Sequence, residues 1–303
     1  MKVAVSGAGG LVGSHLLPVL SANGHEVLPM VRSAPWDSQS SSDSQIYWNP
    51  GEGQIDARGL SGVDAVIHLA GENVAQGRWN PAKKHRIRES RVAGTKLICD
   101  TLAGLDSKPH TIVCASAIGF YGDRGDDEMT ETSLPGRGFL ADVCRDWEDS
   151  CRDAREAGIR VVNARIGVVL SPEGGALAKM LGPFKMGVGG IVGSGRQFWS
   201  WVSIEDVVRA LHFALIEESL AGPVNIVSPE PVRNSEFTRT LGQRLRRPTI
   251  LPMPALAAKV VLGQMAEDLL LSSTRVLPIR LVEAGYEFRH PTLDVALSEL
   301  LDR

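Results

Sequence analysis

Cysteine is scarce in this chain, charge of either sign is balanced, and long apolar runs are missing. Four cysteines in 303 residues, Cys99, Cys114, Cys144 and Cys151, are too few for a disulfide scaffold and include no C-x-x-C pair. Reduced thiols and a cytoplasmic location are therefore expected. Thirty-two basic residues stand against 35 acidic ones, a net charge of −3, which excludes a phosphate-tracking surface and a nucleic-acid partner. Charges such as Lys259 interrupt the apolar runs before they reach the roughly 18 residues of a membrane span. The opening Met1-Lys2-Val3-Ala4-Val5-Ser6-Gly7 lacks the basic region, apolar stretch and cleavage site of an export signal. The seven histidines are scattered; His110 and Cys114, four apart on an extended segment, are separated by about 13 Å, too far to share an ion. No metal site is predicted.

What is present is a chain with 43% hydrophobic residues, long enough at roughly 150 residues per domain for one large α/β unit with a second lobe. Short β-rich runs at 3–5, 27–31, 65–69, 111–115 and 160–164 alternate with segments of helical apolar spacing, the pattern of a parallel sheet with crossover helices. Helix boundaries have local causes: Gly24 and Gly158 suit left-handed closures, Pro81 a first helical position, and Ser203-x-x-Asp206 a capping box. Residues 33–44, with six serines, read as a surface loop, and glycine-dense 182–195 as a lid-like loop. Pro29 breaks the pattern, because an internal strand needs its N–H; either the strand bulges there or it lies elsewhere. Past residue 224 the alternation fades. The fold expected is α/β, a doubly wound parallel sheet over residues 1–223 with a smaller C-terminal lobe at 224–303.

The first strand runs into Gly7-Ala8-Gly9-Gly10-Leu11-Val12-Gly13 and then a helical pattern. G-x-x-G-x-x-G between strand and helix suits a pyrophosphate, which approaches backbone N–H groups at a positive helix N-terminus where a Cβ would intrude. The same glycines also suit a plain tight turn. After the second strand, where an NAD enzyme carries an acid, the chain has Val31-Arg32-Ser33. Arg32 suits a 2′-phosphate, or is a solvated surface arginine; NADP(H) is favoured over NAD(H).

With Ala65-Val66-Ile67-His68-Leu69-Ala70-Gly71 and Ala115-Ser116-Ala117, the opening motif resembles the extended short-chain dehydrogenase/reductases. Glu72-Asn73-Val74, Gly77-Arg78-Trp79, Ser116 to Gly122, Cys144-Arg145-Asp146-Trp147-Glu148 and Gly193 to Gln197 resemble its atypical "epimerase family protein" branch, whose tail is a domain of unknown function. The resemblance covers essentially the whole chain. It implies a Rossmann domain, an NADP-type cofactor touching Gly7, Gly9, Gly10, Leu11, Val12, Gly13, Arg32, Ser33, Leu69, Ala70, Gly71, Ala115, Ser116, Arg165 and Gly167, and a small-molecule substrate between the lobes.

Ordinary members use Tyr-x-x-x-Lys for proton transfer. Here the three tyrosines, Tyr47, Tyr121 and Tyr286, are followed four positions on by Gly51, Gly125 and His290. Placing 139–148 on the family's catalytic helix puts Leu140 at the tyrosine position and Cys144 at the lysine position. The family's serine maps to Ser116 or, by strict spacing, Ala117, and its asparagine to Arg91, a permanent cation able to meet a carboxylate or phosphate. Cys144 is a buried small hydrophobe in an apolar stripe, or a thiol acid/base if a cation lowers its pKa. Tyr121 is a pocket group or an aromatic plug, and Glu72 with Asn73 are acid/base groups or caps. Trp79, Trp199 and Trp201 line a pocket or anchor the core, and acidic 123–131 reads as a solvated loop. The leading expectation is an NADP(H)-dependent oxidoreductase acting on a small polar molecule with Ser116, Tyr121, Cys144, Arg91 and Glu72 as catalytic candidates. The alternatives are a cofactor-binding sensor or scaffold without catalysis and a sugar-nucleotide epimerase.

Overall fold

The computed structural model describes residues 1–32 and 44–302. Its centre is an eight-stranded sheet: β1 (Lys2–Ser6), β2 (Glu26–Val31), β3 (Ile46–Asn49), β4 (Gln54–Ile55), β5 (Ala65–His68), β6 (Thr111–Ala117), β7 (Arg160–Ile166) and β8 (Gly222–Ile226). The order is β8-β7-β6-β5-β1-β2-β3-β4. All neighbours run parallel except β3 and β4. The chain reverses its direction of travel between β1 and β5, the switch point at which doubly wound sheets open a crevice.

Strand alternation sends side chains to two cores. Val3, Val5, Ala65, Ile67 and Val113 face α1 (Leu11–Ala22) and α5 (Ile204–Ile216), while Ala4, Val66, Ile112 and Cys114 face α2 (Pro81–Gly104). Between them in sequence lie α3 (Phe139–Asp149) and α4 (Gly175–Lys185); α6 (Asn234–Leu245), α7 (Ala255–Leu262) and α8 (Leu293–Leu301) follow. Pro81 opens α2, Gly24 and Gly158 take φ of 75° and 84°, and the Ser203 hydroxyl accepts from the Asp206 N–H as the cap of α5. Among the described residues no helix is long and apolar enough to cross a membrane.

Pro29 lies inside β2 without a bulge, opposite Val5. The Glu26 N–H donates to Met1 on the β1 side, so parity turns the Pro29 nitrogen toward β3. Pairing with β3 starts only at Met30 opposite Ile46, and no ladder bond is forfeited.

Two sequence expectations are corrected. The glycine-dense segment 182–195 is helical as far as Lys185, because Leu177, Leu181 and Phe184 bury one stripe of α4. Acidic 123–131 is not wholly solvated: Glu131 is buried and accepts from the backbone N–H groups of Asn225 and Arg280. Strand β8 runs through the expected boundary at 223/224 and pairs with β7. The C-terminal segment shares the main core through Leu281, Tyr286, Leu293, Leu297 and Leu300, and Asn225 Nδ2 donates to the Leu277 carbonyl at 2.9 Å.

Candidate cofactor and catalytic site

The glycine turn joins β1 to α1 at the carboxyl edge of the sheet. Gly7 takes φ +72°, and a Cβ there would stand 2.8 Å from the Leu69 carbonyl carbon and the Ala70 nitrogen; one on Gly13 would stand 2.2 Å from the Gly7 oxygen. These two glycines let the turn, the β5 end and the helix pack. Gly9 and Gly10 are exposed, and a Cβ on Gly9 would meet nothing within 4 Å. Helix α1 has no side-chain cap and no acid in its first turn, so the N–H groups of Leu11, Val12 and Gly13 start a helix with a bare positive end. Ser6 pairs with Met30, which sets exposed Arg32 two residues beyond Met30, one residue past the end of the strand beside the turn. Ser33 lies outside the described residues. This arrangement fits a dinucleotide: open backbone for the pyrophosphate and a guanidinium for a further phosphate.

At the β5 end, Leu69 and Ala70 are half-buried and Gly71 is exposed. The Arg91 guanidinium lies against Gly71, donates to the carbonyls of Glu72 at 3.0 Å and Ile87 at 3.2 Å, and covers the Trp147 ring at 5.0 Å. Glu72 itself takes Lys83 Nζ at 2.6 Å and Arg86 at 3.7 Å. The Lys83 hydrogen bond, reinforced by both cations, holds the Glu72 carboxyl below its usual range. Nothing in the spacing pointed to Lys83, whose side chain is 5% exposed.

Beyond β6 the polar groups turn inward. The buried Ser116 hydroxyl donates to Glu148 at 2.7 Å, and Arg165 makes a two-pronged pair with the same carboxylate, both contacts 2.8 Å. Arg165 also donates to the Tyr121 hydroxyl, which donates to Asn225 at 2.6 Å, and it stacks on Phe120 at 3.5 Å. Tyr121 is fully buried, and burial pushes its pKa up to about 12 despite Arg165. It packs as the plug. Cys144 is buried as well; burial first, then the Glu148 carboxylate, pushes its thiol up to about 12 although Arg91 is near. Helix α3 presents Leu140 and Cys144 to Gly119, the face where the family's acid/base pair is expected. Ala115 is buried in β6, and Gly167 abuts the Ser200 carbonyl, 2.7 Å from where a Cβ would stand. Trp201 and Trp199 anchor the core, while half-buried Trp79 meets Phe139 edge-on at 5.3 Å.

The sequence profile of the NAD dependent epimerase/dehydratase family matches residues 3–226, and that of a domain of unknown function matches residues 253–300. The chain belongs to the NAD dependent epimerase/dehydratase family. Within it, an epimerase family protein of Mycobacterium bovis (Mb2239) is 44% identical, covering 97% of this chain and 96% of its own length. The crystal structure of human epimerase family protein SDR39U1 (isoform 2) with NADPH superposes with a TM-score of 0.90 at 32% identity over all of both chains. UDP-glucose 4-epimerase from Thermotoga maritima, at 19% identity and a TM-score of 0.76 over 100% of this chain and 98% of its own, shares the fold.

Sequence reasoning named Ser116, Arg165 and Tyr121 but not the acid that joins them. Glu148 sat inside a quoted motif, one turn beyond Cys144, and only the register of α3 against β6 and β7 shows what it holds. A depression of about 710 Å³ lined by Val19, His212, Phe213 and Arg289 lies at the far end of α1 from the glycine turn.

Proposed function

We propose that the chain binds NADP(H) at the glycine turn and is an oxidoreductase acting on a small polar molecule without a Tyr-x-x-x-Lys pair. The cofactor, when bound, supplies or accepts hydride. The observation that carries the reading is the bare, uncapped start of α1 with open Gly9 beside it and exposed Arg32 just past the end of the neighbouring strand; the human relative's structure with NADPH supports it. Leu11, Val12 and Gly13 N–H groups bind the pyrophosphate, Arg32 the 2′-phosphate, and Leu69, Ala70, Gly71 and Ala115 line the ribose side. Glu72, the one half-exposed acid among the catalytic candidates, orients substrate or moves a proton with Lys83. Arg91 positions Glu72 through its carbonyl. Ser116, Tyr121 and Arg165 are positioning residues that fix the β6 end, and Gly167 gives the close approach after β7. Four free, buried cysteines accord with a reducing, cytoplasmic location, and the balanced charge accords with a small-molecule partner.

A second reading, a cofactor-binding sensor, is favoured by one observation: the catalytic face of α3 offers a leucine and a thiol held protonated. Calorimetric titration of NADPH and NADH, followed by recording NADPH absorbance over a panel of carbonyl compounds and sugar nucleotides, separates the two. Substrate-dependent NADPH oxidation supports the enzyme, tight NADPH binding without turnover supports the sensor, and absence of NADPH binding overturns both. Arg32→Ala is expected to weaken NADPH by about 10- to 100-fold, the worth of a charge-assisted contact of about 1.5–3 kcal/mol, and NADH hardly at all. Equal losses for the two nucleotides refute the 2′-phosphate role.

A further inference from the structure

Three of the four cysteines converge. Cys99 comes from α2, Cys114 from β6, and Cys151 from the joint between α3 and the short helix Arg152–Glu156. Their sulfurs all lie within 4.8 Å of one another, and the residues are 0%, 1% and 0% exposed. Packing alone asks only for small apolar side chains, which alanine and valine supply throughout both cores. A residue type used four times in 303 positions is here used three times in one contact by three separate elements. Bonds of about 2.3 Å from sulfur to a central atom, at the near-right angles of a pyramidal trivalent centre, set sulfur–sulfur edges of about 3.4 Å, so three thiols within 4.8 Å of one another need to close by at most about 1.4 Å to share one atom.

The surroundings decide which atom. Among the described residues no histidine or carboxylate joins the group, so the fourth ligand that zinc takes in structural sites is missing. The three cysteines belong to the apolar core that also holds Ala4, Val66, Ile98, Leu102, Ile112 and Val161, and burying net charge there is costly without a paired counter-charge. Three thiolates leave a monovalent ion at −2 and a divalent ion at −1. A trivalent metalloid leaves no charge at all.

We propose that Cys99, Cys114 and Cys151 form a three-sulfur site for trivalent arsenic or its heavier congener antimony. With arsenous acid, three As–O bonds break and three As–S bonds form. The three thiol protons leave with the three hydroxides as water, and arsenic stays trivalent. Occupancy ties α2 and the α3 joint to β6, two residues below Ser116. The other convergent group, Glu205, His290 and Glu299, carries no such site because Arg289 already pairs with both carboxylates, at 3.0 and 3.3 Å.

The test refolds the reduced full-length chain from denaturant in the presence of arsenous acid, which removes the barrier of entering a closed core, and then removes unbound arsenic. Native mass spectrometry is expected to show one arsenic gained and three hydrogens lost, and arsenic X-ray absorption three sulfur neighbours and no oxygen. Cys144→Ala is expected to leave uptake unchanged, and Cys114→Ala and Cys99→Ser each to weaken it at least 100-fold. The wild-type absorption spectrum decides the matter even where a variant fails to fold. No arsenic after refolding, an As–O neighbour, or retention of cadmium in preference to arsenic in a parallel refolding overturns the proposal.

Discussion

Single residues at this site divide by whether their space is open or closed. Gly9→Ala should leave thermal unfolding unchanged, since its Cβ meets nothing within 4 Å, whereas Gly13→Ala forces a Cβ to 2.2 Å from a backbone oxygen and should destabilise by about 1–3 kcal/mol through overpacking. Thermal melts of the two variants check this. His68 is fully buried, its Nδ1 2.5 Å from Ser6 Oγ, and burial, with Arg91 adding to it, lowers its pKa from 6.5 to about 4. Between those values the unfolded chain holds a proton that the folded chain does not. The contribution of a neutral His68 is thus present above about pH 6.5 and lost as pH falls toward 4, up to about 3 kcal/mol at 1.36 kcal/mol per unit. Urea denaturation at pH 7 and pH 4.5 should show a smaller acid loss in His68→Gln than in the parent. An equal loss in both refutes the assignment.

At the scale of elements, the Glu148–Arg165 pair fixes α3 against β6 and β7. Removing one partner leaves the other charge buried, so Arg165→Met should cost about 3–5 kcal/mol, and adding Glu148→Leu should restore much of it. Chemical denaturation of the two single variants and the double variant gives the coupling; additive losses contradict a shared role. Glu148 could be read from the sequence as a helix residue and Arg165 as the residue just past a strand, which in fact runs on to Ile166. Their partnership could not, because it depends on which face of α3 turns toward the sheet, and the apolar stripe of α3 fixes that face only once Gly119 and the β6 end are in place.

Across the molecule, the C-terminal segment is part of the main core. Leu281, Leu293 and Leu297 bury on the α5 side of the sheet, and Ser200 and Ser203 hydrogen-bond to Thr274 and His290. Truncation after residue 252 should therefore yield no independently folded Rossmann unit, and the full chain should unfold in a single transition by circular dichroism and tryptophan fluorescence. A truncated chain that melts cooperatively and binds NADPH contradicts this.

Strands β1, β2, β5, β6 and β7, the glycine turn, the proline start of α2 and the cap of α5 were set by local chemistry (positive φ, a missing N–H, a hydroxyl at a helix start, apolar period), whereas the short edge strands β3 and β4 carried no such signal. Local rules act over a few residues and so are written in neighbouring positions. The absence of Tyr-x-x-x-Lys was likewise plain in the sequence. Only the tertiary structure decided that Ser116 faces Glu148, that Tyr121 is a plug, that β8 lies across the expected domain boundary, and that three cysteines up to 52 positions apart share one contact. Each of these depends on the register of elements distant in sequence, which the packing of two cores sets and no single segment encodes.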